Sequence, residues 1–131
     1  MRRLTLLLTL AALAAPSSAQ AISVPAVAAL TCKGTVEVTV GDRGSRLFFS
    51  RDAVTVRTDG CVRWNWTGVL PHRVVTPDGL RSARRTAPYT YRRNFVRPRV
   101  KPYQIRCSVH PRQMRMKVRV KPRRSGSAAR L

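Results

Sequence analysis

The chain predicts an all-β domain, an antiparallel sandwich or barrel. Apolar and polar residues alternate with a period of two, turn residues separate the short runs, and no long stretch has helical periodicity. No segment repeats at the length of a solenoid unit. Val36, Val38 and Val40 alternate with Thr35, Glu37 and Thr39, and Gly41-Asp42-Arg43-Gly44 then reads as a turn. Phe48-Phe49 and Val54-Thr55-Val56 read as one strand interrupted by Ser50-Arg51-Asp52, and Asp59-Gly60 turns the chain. Val62, Trp64 and Trp66 alternate with Arg63, Asn65 and Thr67, the strongest strand signal here, with one apolar and one wet face.

Residues 80–88 are polar and basic without clear period, which reads as a loop with one short helical turn around Arg81 to Arg85. Tyr89, Tyr91 and Phe95 mark a further strand. Arg97-Pro98-Arg99-Val100-Lys101-Pro102 is a turn punctuated by prolines, which lack a ladder donor. Tyr103, Ile105 and Cys107 then share one face, and Met114, Met116, Val118 and Val120 share another, opposite Arg115, Lys117, Arg119 and Lys121. Residues 122–131 form a small, basic tail expected to be flexible.

The first 21 residues have the layout of an export signal: Arg2-Arg3, the apolar run Leu4 to Ala15, and small residues around Ala19 and Ala21. Retention of that run as an N-terminal anchor and acylation at Cys32 are the alternatives. Residues 22–33 then form an N-terminal segment, and residues 34–121 one domain. With the signal removed, about 110 residues remain, enough for a single small core that a disulfide or a metal would reinforce. Export to a periplasmic or extracellular space exposes three cysteines to oxidising conditions, so a pair and a remainder are expected. Cys32 and Cys61 are the expected pair, with Cys107 left as a thiol; a buried thiol at Cys32 or Cys61 is the alternative.

The formal charge is +21, unevenly placed. Residues 22–78 carry seven Lys or Arg and all five acids, whereas residues 79–131 carry seventeen Lys or Arg and no acid. A field of this sign attracts anionic partners at a rate that falls with added salt.

Donor atoms concentrate in two places. Pro71-His72 lies thirty-five residues before Cys107, which opens Cys107-Ser108-Val109-His110-Pro111-Arg112-Gln113-Met114. A thiolate with two imidazoles and a weak axial thioether is the recurring donor set of an electron-transfer copper site. His72 and His110 are the only histidines in the chain. Met114 and Met116 compete for the thioether role, because same-face neighbours on a strand stand about 6.6 Å apart and cannot both reach one ion.

The segments Gly60-Cys61-Val62-Arg63-Trp64 to Pro71-His72-Arg73-Val74-Val75, and Tyr103-Gln104-Ile105-Arg106-Cys107-Ser108-Val109-His110-Pro111 to Met114-Arg115-Met116-Lys117-Val118, resemble the two ligand regions of the cupredoxin family, plastocyanin and amicyanin types above all. The resemblance runs in order over about residues 34–121. It implies a Greek-key β-sandwich with one copper ion at one pole, cycling between Cu(I) and Cu(II). It also implies that His72, Cys107 and His110 are the ligands, with Met114 the axial one, three residues before Lys117-Val118, and Met116 in the core. Two features depart from the pattern. Three residues separate His110 from Met114, where amicyanin-like loops have two and plastocyanin-like loops four, and Arg73 follows the first histidine where asparagine is frequent.

The implied function is a blue copper electron carrier between larger redox proteins, monomeric and not an enzyme, since no general acid, nucleophile or substrate pocket is legible. An acidic redox partner is expected from the charge. Copper delivery through the same ligands, and binding of an anionic polymer or surface, are the alternatives; export argues against specific nucleic-acid recognition.

Overall fold

The computed structural model describes residues 31–124, and the expected signal segment and the end of the basic tail lie outside the described residues. Eight strands follow in chain order: β1 Thr35–Arg43, β2 Arg46–Phe49, β3 Ala53–Arg57, β4 Gly60–Thr67, β5 Val74–Val75, β6 Thr90–Phe95, β7 Tyr103–Cys107 and β8 Arg115–Lys121. They form two four-stranded sheets, ordered β2-β1-β4-β6 and β3-β8-β7-β5. The all-β sandwich expected from the alternation is therefore present, with the apolar faces of the two sheets turned inward.

The inward residues are those the period of two selects. Val62, Trp64 and Trp66 of β4 are buried, as are Tyr103, Ile105 and Cys107 of β7, and Met116, Val118 and Val120 of β8. Each fully buried Val, Ile or Met side chain contributes about 1.5–3 kcal/mol relative to exposure. The Trp64 indole N–H donates to the Met116 Sδ at 3.4 Å, so this thioether is committed to the core. Trp64 also stacks on Tyr91 with ring centroids 5.8 Å apart.

Four local expectations differ from the structure. Phe48-Phe49 and Val54-Thr55-Val56 belong to separate strands in opposite sheets, because β2 pairs with β1 while β3 crosses over to pair with β8. That crossing returns the chain in the same direction, so β1 with β4 and β3 with β8 are parallel pairs, not antiparallel ones. Strand β1 runs through Gly41, Asp42 and Arg43, and the turn falls at Gly44-Ser45, where Gly44 has a φ of 59°. Gly41 is required inside the strand, since a Cβ there would meet the Thr67 carbonyl oxygen at 2.6 Å. Finally, Arg81 to Arg85 forms no helical turn; Arg81 bridges to Val75 and Arg85 to His72, so the segment runs alongside β5.

The open edge between the sheets is closed by a buried cation. Arg93 of β6 lies over the rings of Phe95 and Tyr103, at 4.8 and 5.2 Å from their centroids, and is paired with Asp78 from the β5–β6 connection. The Arg93 hydrogen bonds hold the Asp78 carboxyl down to about 2. At the far end of β4, Cys32 is disulfide-bonded to Cys61, which is the expected pairing, and Cys107 is a free, buried thiol.

Two stability tests follow from these features. The disulfide closes a separation of 29 residues, so in urea unfolding a Cys32→Ala/Cys61→Ala variant is expected to lose about 3–4 kcal/mol; an unchanged midpoint would show that the crosslink constrains little. Because the Asp78 carboxyl is held below its ordinary 3.8, its contribution is present above that pH and lost as pH falls through about 2. Asp78→Asn is accordingly expected to be less stable than the native protein at pH 7, with the two converging in acid. A gap that persists below the folded value would locate the effect elsewhere.

Candidate metal centre

Strand pairing, not sequence proximity, assembles the donors. Cys107 ends β7, and its register partner is Val74 of β5, two residues after His72. The Arg73 N–H donates to the Cys107 Sγ at 3.5 Å, and the Ser108 N–H donates to the Arg73 carbonyl at 3.0 Å. The two donor loops are thus tied by their backbones. An Arg73 side chain in place of asparagine leaves this tie intact, because the bonds use main-chain atoms. The backbone of His72 is clamped from its other side by reciprocal bonds with Arg85, at 2.9 and 3.0 Å.

The loop after Cys107 is short enough to return directly into β8. The Met114 N–H donates to the His110 carbonyl and the Cys107 N–H donates to the Met114 carbonyl, both at 3.0 Å. These bonds close the three-residue spacing between His110 and Met114 into a tight turn. Met114 is fully buried beside Cys107 at the mouth of β8, whereas Met116 lies one pleat deeper, under Trp64.

His72, Cys107 and His110 present donor atoms that all lie within 4.8 Å of one another. The Cys107 Sγ is 3.8 Å from the Nδ1 of His72 and 3.9 Å from the Nδ1 of His110. An ion held about 2.0–2.1 Å from nitrogen and about 2.3 Å from sulfur would separate those atoms by roughly 3.6–3.8 Å. The spacing therefore fits a small transition-metal ion, and thiolate with imidazole suits copper. His72 and Cys107 are inaccessible to solvent, and His110 is half-buried.

One residue of this site, Asp42, reads in the sequence only as part of a turn, yet it lies within β1. Asp42, buried near the end of that strand, faces the Nε2 of His72 at 3.3 Å. Its oxygens also accept hydrogen bonds from the Leu70 N–H at 2.9 Å and the Val69 N–H at 3.2 Å. Those bonds, the Leu70 one foremost, hold the Asp42 carboxyl below its ordinary value. Burial pushes the His72 imidazole down, toward the neutral form that a metal ligand requires. With a carboxylate accepting at Nε2, the proton resides there and the Nδ1 lone pair points at Cys107. Gly68 makes room for this carboxylate: a Cβ at 68 would lie 2.3 Å from Asp42 Oδ1, and its φ is +84°. The signal available in the sequence was only the acid itself, continuing the Val36-Val38-Val40 face at its next position.

Neither a protein-family model nor a curated protein matches the chain. Solved structures do. A purple cupredoxin from Nitrosopumilus maritimus superposes with a TM-score of 0.56 at 18% identity, over 65% of this chain and 98% of that one. An amicyanin variant in its reduced Cu(I) form gives a TM-score of 0.56 at 21% identity, over 70% and 86%. A variant plastocyanin of fern gives 0.55 at 22% identity, over 66% and 100%. Strand order, the two-sheet packing and these superpositions agree: the chain has a cupredoxin-like fold.

Proposed function

We propose that this protein is an exported electron carrier that binds one copper ion through His72, Cys107 and His110, with Met114 as a weak axial ligand, and that it is not an enzyme. The observation that carries the reading is the triangle of one sulfur and two Nδ1 atoms, pre-set on backbone-tied loops. Copper bound there supplies a one-electron couple. The residues supply the constraint: His72 is oriented by Asp42, Cys107 by the Arg73 N–H, and His110 and Met114 by the turn that joins them. A site whose donors do not move loses little energy to rearrangement when the charge on the ion changes. The same buried, clamped framework favours retention and electron transfer over copper delivery.

His72 is sealed inside, so the half-buried His110 edge is the way out for an electron. Around it the exposed Val69 and Leu70, with Pro71, Val109 and Pro111, make a small apolar docking patch. Arg73, Arg106 and Arg112 border it and would steer an acidic redox protein. The Cys32–Cys61 disulfide supports an oxidising, exported location.

Cu(II)-loaded protein is expected to be intensely coloured through thiolate-to-copper charge transfer and to cycle reversibly at an electrode. His72→Ala should lose that band, and Cys107→Ser should abolish it. A spectrum that survives the His72 change would refute the ligand set, and irreversible reduction would count against the carrier role. Asp42→Asn removes a negative charge facing the site, which disfavours the more highly charged oxidised ion. Voltammetry should therefore show a higher reduction potential, and competition titration a Cu(II) affinity weaker by about tenfold or more. An unchanged potential and affinity would reduce Asp42 to a loop brace.

A further inference from the structure

The pole opposite the donors carries a surface that electron transfer does not use. The β6–β7 connection reads Val96-Arg97-Pro98-Arg99-Val100-Lys101-Pro102, with Val96 57% and Val100 fully exposed. This loop is anchored, not loose. The Arg99 N–H donates to the Val120 carbonyl at 3.2 Å, and the Arg99 guanidinium lies 4.4 Å over the Tyr103 ring. The same contacts bring it beside the end of β8, where Lys121, Arg123 and Arg124 are exposed. Arg123 in turn donates to the carbonyls of Thr58 and Lys33, drawing the β3–β4 turn and the start of the domain into one cap.

Acidic residues are all but excluded from this cap. Of the five acids, Glu37 is paired with Arg63, Asp42 is in the metal centre, Asp78 is paired with Arg93, and Asp52 lies just before β3, its main-chain carbonyl accepting from the Lys117 N–H near the start of β8. Only Asp59 is at this end, 3.5 Å from Lys33. Exposed valines interleaved with cations are the pattern of a surface that inserts apolar side chains between anionic headgroups while the charges stay among the phosphates. We propose that this pole docks the protein on an anionic lipid surface. A single-stranded nucleic acid would fit it less well, since the loop offers no open aromatic face for a base: the Tyr103 ring is buried under Arg99, Arg93 and Phe95.

The start of the described chain is fixed at the same pole, where the Thr31 carbonyl accepts from the Asn94 side chain at 2.8 Å and Cys32 is disulfide-bonded to Cys61. Strand β8 spans about 20 Å, so contact through this end turns His110 and its apolar patch away from the lipid. The orientation is independent of which metal the donors hold.

The test is local quenching in the full chain. Val100→Trp and, as a control at the metal-centre pole, Val69→Trp each add one exposed indole to the buried Trp64 and Trp66. Vesicles of phosphatidylcholine and phosphatidylglycerol with brominated acyl chains are expected to shift the emission of the first to the blue and quench it, leaving the second unchanged. Phosphatidylcholine alone should do neither. Val96→Ser/Val100→Ser keeps every charge and should weaken vesicle binding about tenfold or more. Quenching at 69 instead of 100, quenching at neither, or undiminished binding by the double serine variant would overturn the proposal. A blue shift produced by polyphosphate or RNA without quenching by brominated lipid would make the pole a polymer site and overturn it too. Copper-free protein should behave identically, so failure of this test leaves the metal centre unaffected, and the reverse.

Discussion

The pairing of two residues, Val74-Val75, with the end of β7 is the contact on which the site depends. It sets His72 and Cys107, thirty-five residues apart in the chain, at adjacent points on one sheet edge. The Arg73 N–H to sulfur bond and the Ser108 to Arg73 bond extend that pairing by one step on each side. A slip of one residue would turn Cys107 to the opposite face of β7 and dissolve the triangle of donors. Such a slip would also expose Tyr103 and Ile105, so the hydrophobic core and the metal centre enforce the same register.

Buried polar groups complete what the apolar core begins. Asp42 joins three elements at once, holding the Val69-Leu70 loop by its backbone and His72 by its ring. A carboxylate so placed is tolerable only because each oxygen has donors, and it serves a ligand whose tautomer would otherwise be undecided. Arg93 performs a comparable task at the opposite edge, filling the gap between Phe95 and Tyr103 while Asp78 offsets its charge. Three of the five acids, Glu37, Asp42 and Asp78, are engaged with partners away from the distal cap, where Asp59 alone offsets the arginines and lysines.

Much of the fold was legible in single residues. Trp64 and Trp66, Ile105 and Cys107, and Met116, Val118 and Val120 face inward as their alternation required, because a strand buried on one face repeats every second residue. The donors His72, Cys107 and His110 were legible from residue type and scarcity, and the structure brings them together. Less legible was the division of 48–56 between two sheets, since a short polar break looks the same whether the chain continues or crosses over. The extended path of Arg81 to Arg85 was hidden for a similar reason: its partners, His72 and Val75, lie outside its own sequence window. Asp42 looked like a turn residue because glycines flank it at 41 and 44, yet Gly41 serves close packing on Thr67 and only Gly44 serves the turn.

By itself the sequence determined which side chains turn inward, which cysteines can pair, which atoms can bind a soft metal and where the positive charge accumulates. These follow from local periodicity, composition and donor chemistry. Tertiary structure decided the parallel pairing of β1 with β4 and of β3 with β8, the distance from sulfur to the two imidazoles, the carboxylate behind His72, and the gathering of cations with exposed valines at the far pole. Each of these is a relation between segments distant along the chain. Such relations are set by which strands share a sheet edge and in what register, and no local pattern of residues encodes them.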